Sequence, residues 1–123
     1  MIEVSFNQES GILNAHYKGD ISLKQIRDYI IATKENKSFP RDLKILSDGT
    51  ESVFKVLPNE LGMIVEENNK SLEEYDSITD AIVLSGAKET ALSMLYQEIA
   101  KNKKYKFKIF STREAAIKWL EIH

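Results

Sequence analysis

The first part of the chain alternates between apolar and polar positions, which is the pattern of half-buried β-strands. The alternation runs through Ile2–Phe6 and resumes at Ile12, and the turn-forming stretch NQESG separates the two segments. Two alternating segments joined by a short turn predict an antiparallel hairpin.

After the hairpin, helical and strand patterns follow each other in turn. Four segments carry apolar residues at three- and four-residue spacing and are predicted to be helices. Three further strand patterns lie between them, at Leu43–Asp48, Asp80–Gly86 and Tyr105–Phe110. The resulting order, β-β-α-β-α-β-α-β-α, predicts an α/β fold with a mixed, mostly parallel five-stranded sheet. The chain has 123 residues and no repeat or linker, so residues 1–123 are expected to form a single domain.

The last predicted strand has one apolar face and one face that carries Lys106 and Lys108. A parallel strand covered by helices on both sides would bury these two lysines, which proteins avoid. This strand therefore lies at an edge of the sheet, or helices cover only one side of the sheet. The two explanations are compatible.

The composition excludes several classes of function. The chain has no cysteine, which excludes disulfides, thiolate metal sites and thiol catalysis and is typical of a cytoplasmic protein. The sequence has no apolar run of about 20 residues that could span a bilayer and no export signal near Met1, so no stable membrane insertion is expected. The net charge of −2 does not indicate a strongly charged partner.

Candidate catalytic and cofactor-binding residues are few. His16 and His123 belong to no recognisable metal or triad spacing, and the sequence contains no glycine-rich phosphate loop. Asp48 is the one carboxylate that the pattern nominates as a buried acid or base. A single nominated acid does not make an active site, so we expect no catalytic residues, no metal site and no cofactor.

A lysine-rich segment surrounds the last predicted strand. Lysines interleaved with aromatic residues occur on nucleic-acid-binding surfaces. Lysines also end helices and protect edge strands from aggregation, and the slightly acidic chain favours this second interpretation, so no nucleic-acid partner is expected. The segment contains Lys101, Lys103, Lys104, Lys106 and Lys108.

Small polar residues follow three of the predicted strands. In an open parallel sheet the carboxyl ends of the strands meet along one rim, beside helix N-termini, where ligands commonly bind. Turn formation and helix capping alone can also explain these residue types. The candidate rim for a ligand or partner consists of Asp48, Thr50, Ser85, Ser111 and Thr112.

The helix after Gly86 is apolar around an unusually wide arc, and its inward stripe is expected to include Leu95 and Ile99. A small protein with surplus apolar surface commonly buries it against a second copy, so we expect a homodimer. The candidate dimer surface consists of Leu92, Met94 and Tyr96, and the open face of the sheet is the alternative.

The last helix carries Ala115, Ala116 and Trp119 within about one turn. This spacing predicts that all three face the sheet, with Trp119 mostly buried as the anchor of the helix.

Several segments together resemble one known family. The hairpin start, KILSDG (Lys44–Gly49), DAIVLSG (Asp80–Gly86) and the closing FKIFSTREAAIKWL (Phe107–Leu120) are similar to the SpoIIAA-like family. This family is related to STAS domains and, more distantly, to the CRAL-TRIO lipid-transfer fold, and the resemblance covers nearly the whole chain. It implies a sheet with helices largely on one side and a role that is not enzymatic.

The resemblance also bears on regulation, because sporulation antagonists with STAS domains are switched by phosphorylation of a Ser or Thr where the second crossover helix begins. Asp48 matches the acid that ends the strand in such proteins, but the positions of the switch fall near Leu57 and Pro58, which have no hydroxyl. Thr50 and Ser52 lie upstream and do not match the motif.

The resemblance therefore implies a binding or regulatory module that acts through protein–protein contacts with an unidentified partner, without the usual phosphorylation switch. The alternative is a carrier or sensor of a small apolar ligand or lipid, by analogy with the lipid-transfer relatives.

Overall fold

The computed structural model describes residues 1–123 and has five strands and four helices in the predicted order. None of the helices is both long enough and apolar enough to cross a membrane. A 3₁₀ turn at Pro58–Glu60 leads into the second helix. In chain order the elements are β1 (Ile2–Asn7), β2 (Ile12–Ser22), α1 (Leu23–Glu35), β3 (Asp42–Lys55), α2 (Leu61–Leu72), β4 (Ser77–Val83), α3 (Ala87–Ile99), β5 (Tyr105–Phe110) and α4 (Arg113–Ile122).

The five strands form one sheet in the order β1-β2-β3-β4-β5. β1 and β2 pair antiparallel, and the turn between them contains Gly11 at a φ of 70°, a conformation that glycine adopts without strain. The other neighbouring strands pair in parallel. The mixed five-stranded sheet is therefore confirmed, and β5 lies at its edge, where Lys106 and Lys108 are exposed.

Strand β3 is longer than the sequence pattern predicts. The pattern places its end at Asp48, but the strand continues to Lys55. Strand β4 ends beside Asp48, at Val83, so the second half of β3 pairs with β2 alone. The β2–β3 pairing shifts its register after His16 and then continues to the end of both strands. The polar stretch after Asp48 is typical of a loop, and its pairing with β2 gives it the extended conformation.

Three helices cover one face of the sheet, and the fourth covers part of the other face. Helices α1, α2 and α3 pack over a core of 19 buried residues that includes Leu13, Leu43 and Ile82. Helix α4 packs on β3, β4 and β5, over a smaller core of six buried residues that includes Leu46 and Ala81. The helices are thus largely on one side, as predicted.

Helix α1 is held at both ends by specific hydrogen bonds. At its start, the Gln25 backbone N–H donates to Ser22 Oγ at 3.2 Å, and the Ser22 backbone N–H donates to Gln25 Oε1 at 2.9 Å. This reciprocal arrangement satisfies two N–H groups that a helix start leaves unpaired. Near its end, the buried hydroxyl of Tyr75 donates to the Thr33 carbonyl at 2.7 Å. The α1 helix is therefore fixed over the sheet and tied to the segment that follows α2.

Helix α3 turns a different face toward the sheet from the one predicted. Leu92 and Tyr96 are buried in the core, so two of the three residues of the candidate dimer surface cannot form a surface. Leu95 and Ile99, which were expected to face inward, are 50% and 52% exposed, and Met94 beside them is 58% exposed. Because apolar residues surround much of this helix, their spacing alone does not decide which face turns inward.

At the start of α3 a buried carboxylate contacts the sheet and lies on the inward face of the helix. Glu89 is buried, and its Oε2 accepts a hydrogen bond from the backbone N–H of Phe54 in β3 at 3.0 Å. Leu92, Ser93 and Tyr96 are the buried positions that follow on the same face. The contact with Glu89 therefore also links α3 to the second half of β3.

Helix α4 is anchored by residues other than the predicted tryptophan. Ala116 and Leu120 are fully buried, whereas Ala115, expected on the same inner face, is exposed. Trp119 is half-buried and packs beside Phe110 with ring centroids 5.6 Å apart. Ala116 and Leu120 are four residues apart and share the innermost face of the helix, and Trp119, three residues from Ala116, lies beside this face and is only half-buried.

Candidate functional site

A cavity of about 100 Å³ lies between the sheet and helices α1, α2 and α3, and we call it the core cavity. Its walls include Ile45 and Ile82 from the sheet and Ile30, Ile64 and Leu92 from the helices. Of its 20 lining residues, 15 are hydrophobic. Protein interiors are packed closely and seldom leave a space larger than a water molecule, so a cavity of this size and apolar character is a candidate binding site.

One carboxyl group, that of Asp80, points into this apolar space. Asp80 lies in the middle of β4 and lines the core cavity. Alternate residues of a strand share a face, and its neighbours Ile78 and Ile82 both belong to the core beneath the three helices. The one side-chain hydrogen bond to Asp80 comes from Ser47, whose Oγ donates to Asp80 Oδ1 at 2.9 Å. The second carboxyl oxygen is therefore left for whatever occupies the cavity.

Burial changes the acidity of Asp80. It raises the pKa of this carboxyl to about 7, and the hydrogen bond from Ser47 opposes the shift only in part. The side chain is partly exposed, and Asp80 is one of the residues that line the core cavity. Near neutral pH, Asp80 is thus present in both its neutral and its charged form.

Four tyrosines surround the same space. Tyr17, Tyr29, Tyr96 and Tyr105 line the core cavity, and burial raises the pKa of each hydroxyl above its ordinary value of 10.0. They therefore remain neutral phenols at physiological pH. The hydroxyl of Tyr96 donates to that of Tyr105 at 3.1 Å, whereas the buried hydroxyl of Tyr29 makes no hydrogen bond of normal geometry, although the Thr33 side chain is close enough to oppose the rise in its pKa.

An unpartnered buried hydroxyl is unusual, because leaving it unsatisfied costs about 1–3 kcal/mol. At the apolar cavity the Tyr29 hydroxyl is buried and unsatisfied, and the second oxygen of Asp80, which is only partly buried, accepts no hydrogen bond from the protein. A bound molecule with a suitably placed polar group would satisfy one or both.

The sequence interpretation missed Asp80 and nominated Asp48 instead. It placed Asp80 at the start of a strand, where an acid is usually solvated, but β4 begins three residues earlier, at Ser77. The signal that could have found Asp80 is the alternation of Ile78, Asp80 and Ile82, which places an acid on an apolar face. As a candidate for a perturbed acid, Asp48 is therefore replaced by Asp80.

Asp48 lies in a polar setting where its charged form is favoured. Partial burial would raise the pKa of Asp48, but hydrogen bonds from Thr50 and the positive charges of His16 and Arg113 outweigh it, so the pKa is lowered. The Thr50 hydroxyl donates to Asp48 Oδ1 at 2.7 Å. His16 in turn lies 2.9 Å from a carboxylate oxygen of Glu51. This setting stabilises an ordinary ionised aspartate.

The candidate rim is only partly assembled. Asp48, Thr50 and Ser85 are brought together, since the Ser85 hydroxyl donates to the Thr50 carbonyl at 3.3 Å. Thr112 caps α4, where its Oγ1 accepts a hydrogen bond from the Ala115 backbone N–H at 3.2 Å, and Ser111 is exposed. No hydrogen bond joins Ser111 or Thr112 to the other three. Turn formation and capping therefore account for the contacts of these residues.

The fold has a solved counterpart. No protein-family model and no curated protein matches the sequence. The chain is similar to the crystal structure of an uncharacterized protein of the DUF3478 family with a SpoIIAA-like fold, from Shewanella loihica. The TM-score is 0.63 at 16% sequence identity, and the similarity covers 98% of this chain and 92% of that one. At this identity the similarity establishes the fold: the protein has a SpoIIAA-like fold, as its sequence predicted.

Proposed function

We propose that the protein binds a small, mostly apolar molecule in the core cavity, and that this binding, rather than catalysis, is its function. The observation that carries the proposal is an apolar space of about 100 Å³ with one unsatisfied buried hydroxyl and one carboxyl oxygen that accepts no hydrogen bond from the protein at its wall. Apolar walls with a few convergent polar groups are the usual composition of small-molecule sites.

The energetic cost of an empty cavity supports this proposal. At about 24 cal/mol for each Å³ of cavity volume, an empty space of about 100 Å³ destabilises the folded protein by roughly 2 kcal/mol. A ligand that fills the space regains dispersion contacts with the walls. We therefore favour the ligand-binding alternative over a module that acts only through protein contacts.

A cavity-filling substitution tests the proposal. Ser93 is buried on the inner face of α3 and lines the core cavity, so Ser93→Leu should occupy part of the space with its side chain. Ala91 lies on the same helix and is exposed, so Ala91→Leu introduces the same side chain outside the cavity and serves as the matched control.

Heteronuclear NMR titration with isobutanol measures the outcome. Wild type and Ala91→Leu should show the same shifts at residues that line the cavity, and Ser93→Leu should show at least a tenfold weaker affinity. Native mass spectrometry of freshly purified protein would show any co-purified molecule as added mass. Equal binding by all three proteins, or no binding by the wild type, would contradict the proposal.

Self-association through α3 is a second candidate function. It is favoured by one observation: Met94, Leu95 and Ile99 form a half-exposed apolar surface on the outer side of this helix. Three large apolar side chains side by side form the kind of patch that proteins commonly bury against a partner. A second copy of the chain is the partner we propose.

A further inference from the structure

The carboxyl of Asp80 has no cationic partner in the protein. No Lys, Arg or His side chain lines the core cavity, and the one polar contact of the carboxyl is the neutral hydroxyl of Ser47. A buried carboxylate is stable only when it is paired or hydrogen-bonded. When Asp80 is ionised, a positively charged ligand would supply the ionic partner that the lining residues do not.

Aromatic rings surround the space that such a charge would occupy. Besides the four tyrosines, Phe54 and Phe107 line the core cavity. The rings of Tyr96 and Phe107 meet edge to face with centroids 5.0 Å apart, and those of Tyr17 and Phe54 are tilted with centroids 6.2 Å apart. The faces of aromatic rings attract cations, and a cage of aromatic rings is one arrangement that binds ammonium ligands.

We propose that the core cavity binds a small aliphatic ammonium ion, with Asp80 as its counter-ion and the surrounding aromatic rings as its walls. This inference rests on the proposed ligand-binding function and names the class of ligand. The volume sets the size: a cavity of roughly 150 Å³ holds benzene, so about 100 Å³ corresponds by proportion to about four non-hydrogen atoms.

The charge of Asp80 gives this inference a characteristic pH dependence. The titratable groups that face Asp80 are Tyr17 from β2, Tyr29 from α1, Tyr96 from α3 and Tyr105 from β5. Helix α2 contributes Asn68 and Ser71 to the cavity, which do not titrate. Since the tyrosine hydroxyls have raised pKa values, only Asp80 changes its charge near neutral pH.

An ammonium ligand and a neutral ligand therefore respond to pH in opposite ways. A cation binds the ionised form of Asp80, so its affinity rises as the pH increases through the pKa of about 7 and then levels off. A neutral ligand with a hydrogen-bond acceptor would use the protonated carboxyl as a donor, and its affinity would fall over the same range.

The experiment compares isobutylamine with isobutanol, which have nearly the same shape and differ in charge. Tetramethylammonium serves as a third probe because its charge does not depend on pH. Heteronuclear NMR titrations near pH 6 and pH 8 are run on the wild type, on Asp80→Asn and on Asp76→Asn, which alters an exposed aspartate just before β4 and is the matched control.

We expect isobutylamine to bind the wild type near pH 8 at least tenfold more tightly than isobutanol does. The affinities of both cations should fall by about tenfold between pH 8 and pH 6, as the ionised fraction of a group with a pKa near 7 does. Asp80→Asn should abolish the preference for the amine and still bind isobutanol, whereas Asp76→Asn should behave like the wild type.

Two outcomes separate this inference from the proposed function. If isobutanol binds in the cavity as tightly as isobutylamine near pH 8, or if the amine preference survives Asp80→Asn, the ammonium inference is wrong and the binding function stands. If neither probe binds the wild type, both are wrong.

Discussion

Replacing Asp80 with asparagine should change how the stability of the protein depends on pH. Burial in the core cavity raises the pKa of the Asp80 carboxyl from 3.8 to about 7. In the unfolded chain the same group is hydrated, with a pKa of about 3.9. Between these values the unfolded state has lost the proton that the folded state keeps. The free energy of unfolding therefore falls as the pH rises through this range.

The magnitude follows from the difference between the two pKa values. A difference of about three units, at about 1.4 kcal/mol for each unit, gives an upper limit on the order of 4 kcal/mol. The effect is absent below about pH 4 and complete above about pH 7. Water that enters the cavity would hydrate the carboxylate and reduce the magnitude without changing its sign. Asparagine keeps the shape of the side chain and an acceptor for Ser47 Oγ, but it does not titrate.

Urea unfolding at several pH values between about 5 and 8 measures the effect. As the pH rises over this range, the wild type should lose about 2 kcal/mol of unfolding free energy relative to Asp80→Asn. The Asp76→Asn control, which alters an exposed side chain, should follow the wild type. A constant difference between Asp80→Asn and the wild type would show that Asp80 is ionised throughout and would refute the reasoning about the cavity.

Two further predictions concern α4 and α3. Trp119→Ala should lower the free energy of unfolding by about 2–3 kcal/mol, less than the 3–5 kcal/mol or so of a fully buried aromatic, because the indole is partly exposed. Leu120→Ala removes a fully buried side chain and should lower the free energy of unfolding at least as much. Thermal unfolding of both variants measures the two losses, and a loss below about 1 kcal/mol in both would contradict the packing of α4. Light scattering at micromolar concentration should give twice the 14.1 kDa mass of the chain, and the double variant Met94→Glu/Leu95→Glu should return it to the monomer mass. A wild-type mass near 14.1 kDa throughout a dilution series would refute the dimer, and a dimer that persists in the double variant would exclude α3 as its interface.

The order of the strands and helices could be predicted because it depends on local patterns. The alternation from Ile2 and from Ile12 defines the hairpin, and the lysines of β5 indicate an exposed edge. The length of β3 could not be predicted in this way, since pairing with β2 gives its second half the extended conformation. Pairing between distant segments is not encoded in the local pattern of either one.

The candidate site was harder to predict, because it depends on which face each element turns inward. A shift of three residues in the start of β4 moves Asp80 from the solvated end of a strand to its buried middle. The apolar residues of α3 surround the helix too widely to select a face, and the hydrogen bond between Phe54 and Glu89 has no sequence signature. The cavity itself is a property of packing, which only the assembled elements define.

The position of α4 in the chain has a consequence for truncated forms of the protein. This helix follows all five strands, so a chain cut after β5 keeps every strand and loses the cover of the second face. In such a chain Leu46, Ala81 and Val83, which α4 buries, are open to water and to other chains. The exposed lysines of β5 discourage pairing along the sheet edge, but they do not cover the face. A form of the protein that lacks α4 should therefore aggregate and be captured by chaperones.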